Sequence, residues 1–333
     1  MSDAETRLRV AVAGASGLIG AALCDFLETG GCTVLKLVRR PALSGSEIAW
    51  DPETDSIDAA ALASAAALVH LGGVNIAAGR WTARRKAAIR DSRVNSTRLL
   101  SRTLAQPGPR PRTFVCASAI GYYGDRGDEE LTEESPPGAG FLPDLCQEWE
   151  AATEPARQAG VRVVNLRIGI VLTAGGGALR RMLPAFRRGL GGVVGSGRQY
   201  MSWIALHDLV RAIAFVLRNG SLHGAVNATA PHPVTNRQFT QTLGRVLGRP
   251  TCLPLPAPLV RLLLGEMGAA LLLAGARVLP TRLLRAGFVF AHPHLEEALR
   301  AALAAPAGRE EQAPGRRAAN SAAGSARGTG ATS

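Results

Sequence analysis

The sequence predicts a doubly wound α/β fold, a parallel sheet with helices on both faces, followed by a small C-terminal α/β unit on the substrate side and a disordered tail. Three observations carry this. Apolar runs of strand length alternate with amphipathic runs of helical period from Arg9 to about Leu217. The first strand and helix are joined by a glycine turn, Gly14-Ala15-Ser16-Gly17-Leu18-Ile19-Gly20. From Ala304 to Ser333 the chain is mostly Ala, Gly, Ser, Arg and Pro with no large apolar residue, too little to offset the entropy of ordering. The expected layout is a sheet domain over 1–225, a C-terminal domain over 226–303 and a tail over 304–333.

In chain order, Arg9–Ala13 reads as a buried strand, and Leu18, Ile19, Leu23, Phe26 and Leu27 recur at helical spacing. Thr33–Val38 is the second strand and Ala66–Leu71 the next, ending in Gly72-Gly73. Thr82 is placed to cap a long helix reaching about Leu104. Thr113–Ser118 is a strand, Pro143 to about Glu154 a helix with Pro143 in its first turn, Val161–Ile168 a strand and Leu206–Leu217 a helix. Beyond Val226 the pattern gives a short strand over 227–231, a capped helix over Thr235–Leu247, a proline-rich connector and further helical stretches. The most apolar region, Leu253–Leu279, is interrupted by Arg261, Glu266 and Arg277, so no uncharged run is long enough to span a bilayer. A packed helical hairpin or a partner-binding face accounts for it.

The glycine turn has a physical logic. Gly14 supplies the backbone geometry of a tight turn, Gly17 lets the backbone approach a pyrophosphate, and Gly20 lets the helix pack close to the strand. Unpaired amides and the positive end of the helix then face the phosphates, and the Ser16 hydroxyl can add a contact. The spacing is GxxGxxG, so Ala15 and Ser16 lie within the loop. About twenty residues on, where an acidic side chain would hold a ribose 2′-hydroxyl, stand Arg39 and Arg40. Guanidinium groups suit a 2′-phosphate, so the expected cofactor is NADP(H). In an open parallel sheet the ligand lies at the carboxyl ends of the strands, which puts Gly14 to Ile19, Arg39, Arg40, Leu71, Gly72, Ser118 and Gly169 around one crevice.

Composition excludes several classes. A chain of 333 residues that is 47% hydrophobic can bury a large core. The formal charge of +12 would suit a polyanion, yet the excess is scattered arginine, part of it in the tail, and aromatic residues are only 5%. No basic helix interleaved with aromatics appears, so nucleic acid is not the expected partner. Five cysteines without metal-type spacing fit a reducing cytoplasm, no metal site is expected, and no signal sequence opens the chain.

Longer motifs are more specific than any of these features. They are GASGLIG at Gly14, HLGGVNIAAGRWT over His70–Thr82, SRVNSTRLL from Ser92, SAIGYYG over Ser118–Gly124, CQEWEAA over Cys146–Ala152, GSGRQYMSWIALHDLV over Gly195–Val210, and GFVFAHPHLEEAL from Gly287. With them the chain, from about Arg9 to Leu303, resembles the extended short-chain dehydrogenase/reductases of the NAD-dependent epimerase/dehydratase superfamily. Within these it is similar to the atypical epimerase-like family that carries a C-terminal domain of unknown function. The resemblance implies a Rossmann-type domain and a site made of Ser or Thr, Tyr and Lys, in which tyrosine is the acid/base, lysine lowers its pKa and holds the nicotinamide ribose, and serine orients the substrate.

Only the serine carries over, as Ser118. Aligning Glu150 with the acidic residue that follows the YxxxK pair sets Leu142 at the tyrosine place and Cys146 at the lysine place. The chain has two lysines in all, Lys36 and Lys86, so no local realignment restores the pair. Tyr122 and Tyr123 follow the Ser118 strand end, and Tyr122 is the candidate acid; the bland alternative is that both fill a pocket wall. A phenol without a neighbouring cation is a poor base at neutral pH, and Arg167 or the cofactor's own ring are the groups that could supply one. Gln199 and Trp203 match the segment that faces the substrate and are, with Tyr122, the candidate substrate contacts. His70 reads as a structural histidine and Asp208 as a helix-start acid. The expected function is an NADP(H)-dependent oxidoreductase or epimerase acting on a small polar substrate, a nucleotide-linked one among the options. The alternative is a non-catalytic NADP(H) sensor or scaffold that meets a protein partner through the C-terminal domain.

Overall fold

The computed structural model describes residues 7–304. β1 (Arg9–Ala13) turns into α1 (Leu18–Thr29), and β2 (Thr33–Val38) returns parallel beside it. Two strands and a short helix that the apolar pattern did not announce come next: β3 (Glu47–Asp51), β4 (Ser56–Ile57) and α2 (Ala59–Ala63). Then follow β5 (Ala67–His70), α3 (Ala83–Ala105), β6 (Thr113–Ala119), a 3-10 turn over Ile120–Tyr123, β7 (Glu130–Leu131), α4 (Phe141–Ala151), α5 (Glu154–Gln158) and β8 (Arg162–Ile168). β9 (Ile170–Leu172), α6 (Gly177–Arg187), β10 (Tyr200–Met201), β11 (Trp203–Ala205) and α7 (Leu206–Arg218) lead to β12 (Gly224–Ala228). The remainder is β13 (Val234–Thr235), α8 (Asn236–Leu247), α9 (Ala257–Gly268), a π turn over Ala269–Leu273, β14 (Arg277–Val278), α10 (Thr281–Arg285) and α11 (Leu295–Ala304).

The main sheet runs β12-β8-β6-β5-β1-β2-β3-β4, parallel throughout except for the antiparallel β3/β4 edge. Chain order reverses between β1 and β5, which opens a crevice at their carboxyl ends. The strands read as unbroken apolar runs because both faces are covered. Ala11 and Ala13 join one core with Leu68, Phe114 and Ile89, while Val10 and Val12 join another with Leu23, Val69 and Leu209. The boundary expected at 225/226 falls inside β12, which pairs with β8 from Gly224 to Ala228 and so completes the sheet.

Local signals explain the helix ends. The Thr82 hydroxyl accepts from Arg85 N at the start of α3, and α8 opens on a Thr235/Gln238 capping box and closes on left-handed Gly248. The helix expected from Pro143 starts at Phe141 instead. Pro143 then takes the third position, where no intrahelical N–H is required, and the helix ends at Ala151, with α5 following as a separate turn. Over 253–279 the helical chain folds back on itself, as the packed hairpin requires: a Cβ on Gly268 would lie 2.9 Å from a Val260 methyl and 3.0 Å from Val260 O, eight residues earlier. α9 is two helical segments broken at Gly265 (φ +60°, ψ −143°), and the second passes into the π turn and then β14. Leu264 and Met267 pack into the first core while Leu262 and Leu263 stay exposed. Among the described residues no helix is long and apolar enough to cross a membrane. The expected disordered tail lies outside the described residues, except for Ala304.

The C-terminal segment is stitched onto the sheet domain by hydrogen bonds. β14 pairs with β7, and the Ser202 hydroxyl donates to Ala276 O (2.7 Å) and accepts from Val278 N (2.8 Å). Asp208, fully buried, accepts from Ala291 N (2.7 Å) and His292 N (2.8 Å) and pairs with Arg211. Its carboxylate therefore fastens a distant loop and does not cap its own helix.

Candidate functional site

The phosphate end is made of backbone. Gly14 has φ +82°, and a Cβ on it would sit 2.9 Å from Gly72 N and from Leu71 C, so the turn after β1 rests directly on the end of β5. A Cβ on Gly20 would lie 2.0 Å from Gly14 O, which fixes how closely α1 meets the loop. Gly17 N donates to Gly14 O (3.0 Å), and no side chain caps the start of α1. The first amides of the helix, the exposed Ser16 hydroxyl and the half-buried Ala15, Leu18 and Ile19 thus form a cradle with the shape and polarity that a pyrophosphate needs. Leu18 also packs under Gly176, where a Cβ would be 2.8 Å from its methyl group, so the loop before α6 lies against the same cradle.

The two arginines after β2 part company. Arg40 holds Glu47 of β3 with both terminal nitrogens (2.8 and 2.6 Å), and these bonds, with Leu43 N, pull the Glu47 carboxyl down to about 2. Arg39 is exposed and has no polar partner among the described residues. Of the pair, Arg39 is the one whose donors are free for a 2′-phosphate. Gly169 is a glycine for packing reasons: a Cβ there would meet Ser202 O at 2.6 Å and the Thr229 methyl at 2.9 Å.

The reactive end is made of side chains. Ser118, at the carboxyl end of β6, donates its hydroxyl proton to Glu150 Oε1 (2.7 Å). Glu150 on α4 is clamped by Arg167 of β8 through Nε (2.8 Å) and Nη2 (2.9 Å). Arg167 Nη1 donates to the Tyr123 hydroxyl (3.0 Å), which donates to Asn227 Oδ1 on β12 (2.7 Å). Burial works against the Arg167 charge, but the hydrogen bonds and charge of Glu150 more than offset it and hold the guanidinium protonated. Burial pushes the Tyr123 phenol up to about 12, against the pull of Arg167, so it is no base.

This network changes the part expected of Tyr122. Arg167 does lie beside it, but against the ring face, with Cζ 3.4 Å from the centroid, while its donor goes to the Tyr123 hydroxyl. The cation that was to activate the Tyr122 hydroxyl is spent on its neighbour. Of the other expected substrate contacts, Trp203 is fully buried in the core with Phe239 and Leu295, so it lines no crevice. Gln199 is 9% exposed and donates its amide to Val194 O and Leu272 O (both 2.9 Å), tying the C-terminal segment down. His70 is wholly buried, shares a 2.9 Å hydrogen bond with Ser96, and is driven down to about 3 by burial and the charge of Arg93, so it is neutral.

Neither lysine enters the crevice. Lys36 pairs with Glu28, and Lys86 pairs with Glu266 and lies over the Phe141 ring. Cys146 is buried against Ala119 O, and burial pushes its thiol up to about 12, so it does not replace a lysine. Among the described residues no group of His, Cys, Asp and Glu is disposed to hold a metal. Sequence reasoning passed over Glu150, Asn227 and Glu47 as members of the site. Only Glu150 carried a signal, its fixed distance after the YxxxK place.

The model of the NAD dependent epimerase/dehydratase family matches residues 10–228. The chain belongs to that family. A second model, a domain of unknown function (DUF1731), matches residues 255–302. The epimerase family protein Mb2239 of Mycobacterium bovis is 49% identical over 290 residues, which is 87% of this chain and 96% of the relative. The crystal structure of human epimerase family protein SDR39U1 (isoform 2) with NADPH superposes with a TM-score of 0.81 at 34% identity, covering 90% of this chain and all of that one. A nucleoside-diphosphate sugar epimerase from Corynebacterium glutamicum gives a TM-score of 0.71 at 35% identity, over 88% of this chain and 57% of that one. The fold expectation holds against these neighbours, and so does the resemblance.

Proposed function

We propose that this family member is an NADP(H)-dependent oxidoreductase or epimerase-like enzyme whose substrate is a small polar alcohol or carbonyl, with nucleotide-linked sugars the first class to test. The observation that carries the enzymatic reading is the buried Ser118–Glu150–Arg167 chain, at the carboxyl end of β6 beside the switch point of the sheet. A buried ion pair adds little stability over apolar packing, so a use for it is the better explanation of its presence there. The NADP(H) reading rests on the Gly14–Gly20 cradle and the free Arg39, and the substrate class on the likeness to the NADPH-bound human protein and the sugar-nucleotide epimerase.

When bound, the cofactor supplies or takes up the hydride. Because the Ser118 proton points at Glu150, the remaining lone pairs of Oγ are free to accept from a substrate hydroxyl, and Glu150 is the onward acceptor. Arg167 orients Glu150 through two parallel hydrogen bonds. Tyr122, stacked on Arg167, forms the wall beside this relay.

A specific observation favours a second reading, a non-catalytic NADP(H) sensor: both lysines are paired elsewhere and no Tyr–Lys couple exists. One experiment separates the two. Purified protein is analysed by mass spectrometry for retained nucleotide and then screened with carbonyl compounds and 4-keto nucleotide sugars for NADPH oxidation. Oxidation that Ser118→Ala abolishes supports the enzyme. Tight NADP(H) binding with no turnover on any substrate supports the sensor.

A further inference from the structure

The positive charge missing from α4 has a counterpart on a neighbouring helix. Arg93, in the middle of α3, folds back so that Nη1 donates to Ile89 O (3.1 Å). Its guanidinium lies flat on the α-carbon of Gly73: a Cβ built there would be 3.0 Å from Cζ and 3.2 Å from each Nη. Three nearly equal distances mean that the planar group presents its face to Gly73. Cζ is 5.2 Å from the centroid of the Trp149 ring. Packed against Gly73 and Trp149, the guanidinium lies between the loop after β5 and α4, where Cys146 stands one turn before Trp149. Unlike Arg167, it has no carboxylate within ion-pair distance among the described residues. Burial lowers Arg93 to about 10, which leaves it protonated at neutral pH.

We propose that Arg93 supplies the fixed positive charge at the nicotinamide end of the crevice that Cys146 cannot, and that this charge makes the site select reduced over oxidised cofactor. The proposal rests on the NADP(H) reading above. Arg93 is half-buried, and its remaining donors can be met by hydroxyl or carbonyl oxygens of a ligand. The oxidised nicotinamide ring carries a positive charge and the reduced ring none, so a guanidinium beside it repels only the oxidised form. Arginine serves this purpose better than lysine because it does not lose its proton when buried. The site is then poised to hold NADPH until a substrate arrives and to release NADP+ afterwards.

The test is calorimetric titration of the full chain with NADPH and with NADP+. The wild type is expected to bind NADPH about tenfold tighter, about 1.4 kcal/mol. Arg93→Lys keeps most of that preference, whereas Arg93→Gln brings the two affinities within about twofold, with thermal melting used to verify the fold. Equal affinities in the wild type, or an unchanged ratio in folded Arg93→Gln, overturn the proposal and leave NADP(H) binding intact. Should Arg93→Gln not fold, the wild-type ratio and Arg93→Lys decide. Binding of neither nucleotide overturns the NADP(H) reading itself, and this proposal with it.

Discussion

The phosphate end of the crevice is seven consecutive residues, Gly14 to Gly20, acting through backbone, whereas the reactive end gathers Ser118, Tyr123, Glu150, Arg167 and Asn227 from five separate elements. The first can be shaped by local sterics, since a glycine turn and a helix start are determined by neighbours in the chain. The second exists only when β6, α4, β8 and β12 are packed together, and its geometry is as stable as that packing. The cradle's geometry therefore does not depend on which side chains occupy the reactive end.

The sharpest way to break this contrast is at the cradle. Gly20→Ala, a change that ordinarily favours a helix by about 1 kcal/mol, here sets a methyl 2.0 Å from Gly14 O, so loss of measurable NADPH binding by titration is expected. At the other end, Arg167→Met strands the Glu150 carboxylate in a buried site. A loss of about 3–5 kcal/mol in urea unfolding is expected, and an unchanged midpoint would show that the network is not structural. Ser118→Ala separates chemistry from packing: turnover on any substrate found should fall by about 100-fold or more, with NADPH affinity unchanged.

A fourth prediction concerns pH. His70 is depressed to about 3 in the folded chain, from an unfolded value near 6.5. Its contribution is complete above pH 6.5 and is lost progressively as the pH falls toward 3, because only the unfolded chain takes up the proton. About 2 kcal/mol should be lost between pH 7 and pH 5, and the loss should be smaller in His70→Gln. The smallest effect is at Arg39. Arg39→Ala should weaken NADPH about tenfold and leave NADH unchanged, whereas Arg40→Ala, which removes the pair with Glu47 and a bond to Pro41 O, should alter neither by more than about twofold.

Legibility followed the same divide. The strand and helix around Gly14, the Thr82 and Thr235 caps and the Ser118 strand end were all readable, because each depends on residues within a few positions of one another. The Arg40–Glu47 pair was not legible because Glu47 lies on a strand with no strong apolar signal. Trp203 was misjudged because a motif position does not say which face of β11 meets the core.

By itself the sequence determined the alternating α/β order, the glycine cradle, the absence of a Tyr–Lys pair and the candidacy of Ser118, since propensity, periodicity and composition are local properties of the chain. Only the tertiary structure decided that Ser118 speaks to Glu150, that Arg167 stacks on Tyr122 but bonds to Tyr123, and that Arg93 lies over the Trp149 ring of α4. Those relations join residues 32 or more positions apart, and a contact at such a separation is fixed by how the elements pack, not by the order in which they are written.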